Sequence, residues 1–128
     1  MKLSHLPALM ALCTLMTGAL AGEIKPFNQH DFDKLTHDGK PVVLDVSAPW
    51  CPTCKAQKPI VDGLMKQPAY ADVTLMTLDF DSAKSTLRQF NVNMQSTLVA
   101  FKGDKEVGRS VGDTTPQGLE ALFKKTLH

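Results

Sequence analysis

Trp50-Cys51-Pro52-Thr53-Cys54 constrains this chain more than any other stretch. A near-continuous apolar run, Pro41 to Ser47, leads into it, and apolar residues at helical spacing, Ile60, Val61, Leu64 and Met65, follow it. The first pattern is that of a buried strand and the second that of a helix packed on a core. The stretch between them is therefore a strand-to-helix turn. Residues three apart in a first helical turn share a face, close enough for their sulfurs to bond. Cys51 falls at the expected N-cap. Pro52 follows at the first helical position, where its missing N–H would have no partner anyway. The unpaired N–H groups of the first turn then point at the Cys51 sulfur. A cysteine so placed titrates below its free value of ~8.5; a fall to ~7 is about 2 kcal/mol in favour of thiolate. Thiolate is the attacking species in disulfide exchange.

Three readings of the pair are open. A structural zinc site needs two more ligands, and Cys13, His5, His30, His37 and His128 include no pair at ligand spacing. A permanent structural disulfide would close a very short loop and add little stability. Reversible redox exchange is favoured over both.

The surroundings narrow the choice. Asp45 interrupts Val42-Val43-Leu44-Asp45-Val46, six residues before Cys51. A carboxylate among buried apolar residues is costly and has its pKa raised, unless it sits where the strand bends out to water. Pro59 lies inside the following helical pattern, where it should kink the helix. Asp45, Trp50, the Cys pair and Pro59 at these spacings resemble the thioredoxin family, and the likeness extends over the chain beyond residue 22. The two residues between the cysteines are similar to those of thioredoxins that serve cytochrome c maturation.

The N-terminal stretch reads as a removable leader. Lys2 is followed by a mostly apolar run, Leu6 to Leu20, and Ala19-Leu20-Ala21 forms a small-x-small cleavage site. The run is shorter than the ~20 residues of a comfortable membrane span. Cys13 follows Leu12 rather than small residues, which argues against a lipid anchor. We expect a signal peptide over 1–21, cleavage after Ala21, and a single domain over 22–128. Export would place Cys51 and Cys54, the only remaining thiols, in a disulfide-permissive compartment such as a periplasm. Lys and Arg number 14 against 13 Asp and Glu. With Lys2 in the leader the rest of the chain balances, so charge gives no case for nucleic acid or an anionic membrane.

The remaining patterns complete an α/β domain. Glu23 to Phe27 reads as a first strand. Asn28 caps a helix with Asp31 at the capping-box position, Phe27 and Phe32 as a staple and Gly39 as terminator. His30 and His37 on that helix read as solvated. Val73 to Phe80 is a strand, and Ser82 is placed to cap a helix bearing Ala83, Leu87 and Phe90. Thr97 to Lys102 and Lys105 to Val111 form a hairpin around Gly103-Asp104. Thr115 caps a last helix with Pro116 at its first position and Leu119, Leu122, Phe123 and Leu127 as its buried stripe. The order β-α-β-α-β-α-β-β-α implies a central mixed sheet with helices on both faces, which is similar to a whole thioredoxin fold.

The resemblance implies a thiol–disulfide oxidoreductase without metal or organic cofactor. Cys51 would attack a substrate disulfide, and Cys54, expected to be the less exposed, would resolve the mixed disulfide. Asp45 would accept the Cys54 proton. Trp50, Pro52, Thr53 and Pro59 would shape the site, with Trp50 packed over it. Gln95, Ser96 and Thr97 would form the substrate-binding loop. In that loop Ser96 stands where the family carries a cis-proline, so a trans Gln95–Ser96 bond and a reshaped groove are expected. Thr77 stands where a lysine often faces the buried acid. Thr53, in place of the histidine of strong oxidants, favours a reductase. The alternatives are an oxidant or isomerase of the same fold, a Cu(I)- or soft-metal-handling module on the Cys pair, and a redox-inert binding domain. Expected partners are exported proteins carrying disulfides or thiols and a membrane-embedded electron donor. The protein itself is expected to be a monomer with no stable membrane anchor.

Overall fold

The computed structural model describes residues 21–127. The expected leader, with His5 and Cys13, lies outside the described residues except for Ala21, as does His128. Among the described residues five strands, β1 (Glu23–Pro26), β2 (Pro41–Ser47), β3 (Thr74–Asp79), β4 (Thr97–Lys102) and β5 (Lys105–Val111), form one sheet in the order β1-β3-β2-β4-β5. β3 runs parallel to β1 and β2, whereas β4 runs antiparallel to β2 and β5. The same described residues hold four α-helices: α1 (Gln29–His37), α2 (Pro52–Met65), α3 (Lys84–Gln89) and α4 (Pro116–Lys124). This is the expected mixed sheet. Among the described residues no helix is long and apolar enough to cross a membrane.

β2 is central, and its alternation explains its continuous hydrophobicity. Val42, Leu44 and Val46 join Phe32, Met76, Leu87 and Phe101 on one face. Val43 joins Val61, Leu64, Leu75, Leu119 and Phe123 on the other. Successive side chains on a strand point to opposite faces, so Asp45 shares the α2 and α4 face with Val43. An acid is thereby aimed at the underside of the active-site helix.

The caps follow the sequence. Asn28 Oδ1 accepts the Asp31 N–H at 3.0 Å, and the Phe27 and Phe32 rings lie 5.7 Å apart. Thr115 Oγ1 accepts the Gly118 N–H at 3.1 Å. The Gly103-Asp104 turn joins β4 and β5, with Gly103 at φ +61°.

Two local expectations fail. Ser82 does not cap α3: its hydroxyl donates to Asp79 Oδ2 at 3.0 Å, and Ala83 takes the N-cap position. Leu127 is not in the buried stripe, being 37% exposed. After Lys124 the chain tightens into a 3-10 turn, Lys125–Leu127, with three residues per turn. Thr126, three residues after Phe123, takes the inward position and donates its hydroxyl to the Phe123 carbonyl at 2.7 Å.

Candidate active site

Cys51 is the N-cap of α2, with φ −90° and ψ 110°, and Pro52 occupies the first turn. The Cys54 N–H donates to Cys51 Sγ at 3.1 Å. The two cysteines are joined as a disulfide, their Cα atoms 5.3 Å apart. The N-cap geometry read from the sequence is thus present: a sulfur receives the hydrogen bond that a capping oxygen would otherwise accept.

The exposure of the two sulfur residues reverses the expectation. Cys51 is 1% exposed and Cys54 8%. Ser96 covers Cys51, its hydroxyl oxygen 3.1 Å from Cys51 Sγ and 3.1 Å from Cys54 Sγ. Cys54 instead lines a cavity of about 550 Å³ that also receives Asp45, Lys55 and Lys58.

Asp45 is partly buried and faces that cavity. Desolvation pushes its carboxyl up to about 6 from the usual 3.8; the Lys58 charge pulls it back down and Asp62 pushes it up again. Thr77 pairs with Asp45 across β2 and β3, so the neighbouring strand supplies no cation. The cation comes from α2, where Lys58 bonds Asp62 at 2.9 Å. An acid titrating near 6 is mostly carboxylate at pH 7 and close to the optimum for exchanging protons there.

Trp50 is 56% exposed and donates its indole N–H to Asp81 Oδ2 at 2.7 Å. It therefore does not fill the core, and the apolar packing around the dithiol comes from Ala48 and Phe80. Pro52 and Pro59 are exposed and Thr53 half-buried. α2 runs unbroken through Pro59, which lacks the N–H that the Lys55 carbonyl would accept.

The 91–96 loop is bracketed by two non-glycine residues in the left-handed region, Asn91 at φ +53° and Ser96 at φ +59°. Among the described residues there is no cis peptide bond, so Gln95–Ser96 is trans, as the missing proline implies. Gln95 is half-buried, whereas Thr97 is buried and donates its hydroxyl to the Met94 carbonyl at 2.7 Å. Gln57, which the sequence reading passed over, holds the loop. Its buried amide donates to the Ser96 carbonyl at 3.2 Å and to the Asp113 carbonyl at 2.8 Å. Its signal was the inward stripe Cys54, Gln57, Val61, Leu64, in which it is the lone amide. His30 and His37 are exposed, and among the described residues no three His, Cys, Asp or Glu side chains gather as a metal site would require.

A buried cysteine pair at a helix N-terminus, beside a carboxyl near 6, can exchange two electrons with a disulfide and pass protons to the carboxyl. The wider likeness agrees with that chemistry. The Thioredoxin family model matches residues 23–125. A thioredoxin of Chlamydia muridarum is 38% identical over 84 residues, covering 66% of this chain and 80% of that protein. One from Alicyclobacillus acidocaldarius is 33% identical over 98 residues, covering 76% and 91%. The crystal structure of Trxlp from Edwardsiella tarda superposes with a TM-score of 0.77 at 38% identity, covering 79% of this chain and 98% of that one. Fold, cysteine pair and sequence thus lead to one conclusion: the chain belongs to the thioredoxin family and is a thiol–disulfide oxidoreductase.

Proposed function

We propose that the protein is an exported reductase of protein disulfides, with Cys51 as nucleophile, Cys54 as resolving thiol and Asp45 as proton acceptor. The observation that carries this reading is the Cys54 N–H bonded to Cys51 Sγ at the α2 N-cap. The Cys51 thiolate attacks a substrate disulfide, forms a mixed disulfide and expels one substrate thiolate. Cys54 gives its proton to the Asp45 carboxylate across the shared cavity and attacks Cys51 Sγ. The second substrate thiolate leaves, and two electrons have passed from the dithiol to the substrate. Ser96 lies against Cys51, so a substrate disulfide must reach that sulfur past this residue.

Reduction is favoured over oxidation because Thr53 brings no imidazolium to stabilise the thiolate, and a less stabilised thiolate means a lower potential. Export is inferred from the leader-like first 21 residues. In an oxidising compartment the disulfide must be re-reduced by a dithiol donor, which we place in the membrane. One observation favours a second assignment of the cysteines: Cys54 lines the cavity and is the more exposed of the two.

Single-cysteine variants decide between them. With Cys51 as nucleophile, Cys51→Ser abolishes reduction of a protein disulfide, and Cys54→Ser accumulates a mixed disulfide through Cys51. A Cys54→Ser protein whose Cys51 resists alkylation at neutral pH, with a reactive Cys54 in Cys51→Ser, reverses the roles.

A further inference from the structure

Ser96 makes contacts that a merely tolerated loop residue would not. Its hydroxyl lies 3.1 Å from each of the two reacting sulfurs, and the residue is 3% exposed. Its backbone is held on the other side, where the Ser96 carbonyl accepts the Gly112 N–H at 3.0 Å and the Gln57 amide at 3.2 Å. At φ +59° it occupies a region that is uncommon for any residue but glycine and closed to proline, whose φ is fixed near −65°. Strained residues of this kind gather at functional sites, where the surrounding structure holds them in place.

A serine hydroxyl offers one donor and two acceptor positions. Against a disulfide its donor meets only weak acceptors. Against a dithiol it meets a thiolate, which accepts far more strongly. From this geometry we infer that Ser96 is a further catalytic residue of the thiol–disulfide reaction. Its hydroxyl donates to the Cys51 thiolate, beside the bond from the Cys54 N–H, and accepts from the Cys54 thiol. Ser96 keeps its own proton throughout and is not consumed. It stabilises the reduced state over the disulfide, raising the thiolate fraction of Cys51 and the potential of the pair. The inference takes Cys51 as the thiolate, as proposed above, and holds for either direction of electron flow. The ionisable groups on the Cys54 side are Asp45 from β2, Lys55, Lys58 and Asp62 from α2, and Asp79 from β3. They line the cavity, which Ser96 does not, so a substitution at Ser96 leaves them in place.

The test compares the parent with Ser96→Gly, which accepts the positive φ, and with Ser96→Ala. Thiolate absorbance of the reduced protein is followed against pH, and the redox equilibrium is measured against glutathione. Both variants should lower the thiolate-to-thiol ratio at a given pH about tenfold, the scale of one hydrogen bond to a charged group. Both should also shift the glutathione equilibrium about tenfold toward the disulfide, which is ~30 mV for a two-electron couple. Values within twofold of the parent in folded variants would overturn the inference, as would a loss of thermal stability with titration and equilibrium unmoved. Alkylation of the Cys54→Ser and Cys51→Ser proteins separates this outcome from a wrong assignment of the nucleophile. An absorbance that moves with Cys54 rather than Cys51 refutes that assignment and, with it, the stated donor–acceptor pair.

Discussion

Replacing Asp45 with Asn should stabilise the protein at neutral pH. The carboxyl titrates at about 6 in the folded chain and near 3.8 when unfolded. A carboxyl raised in this way binds more protons folded than unfolded between those values, so its contribution to stability falls as pH climbs from 3.8 to 6. Below about 3.8 both states are protonated and nothing is lost; above about 6 the whole penalty is present. At ~1.4 kcal/mol per pH unit, the rise amounts to about 3 kcal/mol at pH 7. Asp45 is partly exposed to the cavity, so solvent screening reduces this and a gain of about 1–3 kcal/mol is expected. The asparagine amide can be hydrated from the same cavity, so the substitution leaves no stranded polar group. The assay is urea unfolding of the oxidised parent and variant at pH 7.5 and at pH 3.5. The variant should be the more stable at pH 7.5, and the difference should shrink toward zero at pH 3.5. In turnover, release from the mixed disulfide should slow more than its formation. A variant no more stable than the parent at pH 7.5, or a gain unaffected by acid, would refute the reasoning.

Lys58→Met removes the charge that pulls the Asp45 carboxyl down, so an NMR titration should place Asp45 above about 6, whereas Asp62→Asn should move it lower. Gln57→Leu takes the 2.8 Å donor from the part-buried Asp113 carbonyl and one donor from the buried Ser96 carbonyl; denaturant unfolding should show a loss of about 1–3 kcal/mol. Thr115→Ala removes the α4 cap and should cost about 1 kcal/mol by the same measurement.

The parts of this molecule legible in its sequence are those decided by neighbours in the chain. Pro41 to Ser47 reads as a doubly covered strand because its own residues supply both faces. Cys51 reads as an N-cap because Pro52 suits the next position and little else. Gly103-Asp104 marks its hairpin, since a two-residue turn is fixed by its own backbone preferences. The failures share a different cause. Ser82 has the right chemistry for a cap, but the Asp79 carboxylate competes for its hydroxyl. Leu127 loses its inward place because the last turn tightens, which the helical period does not announce. The setting of Trp50, whose indole N–H is held by Asp81 31 residues away, likewise depends on a distant part of the chain. The contact of Ser96 with both sulfurs depends on a positive φ maintained by Gly112 and Gln57, one from each side of the chain. A missing proline could be seen; the hydroxyl it frees to turn onto the dithiol could not.

The redox equilibrium of the Cys51–Cys54 pair against glutathione tests the central claim most directly. A reductase should give reversible two-electron exchange with a midpoint near or below about −230 mV, toward the −270 mV typical of thioredoxin. A midpoint near about −120 mV would make the protein an oxidant, and a pair that does not exchange with glutathione at all would contradict the account.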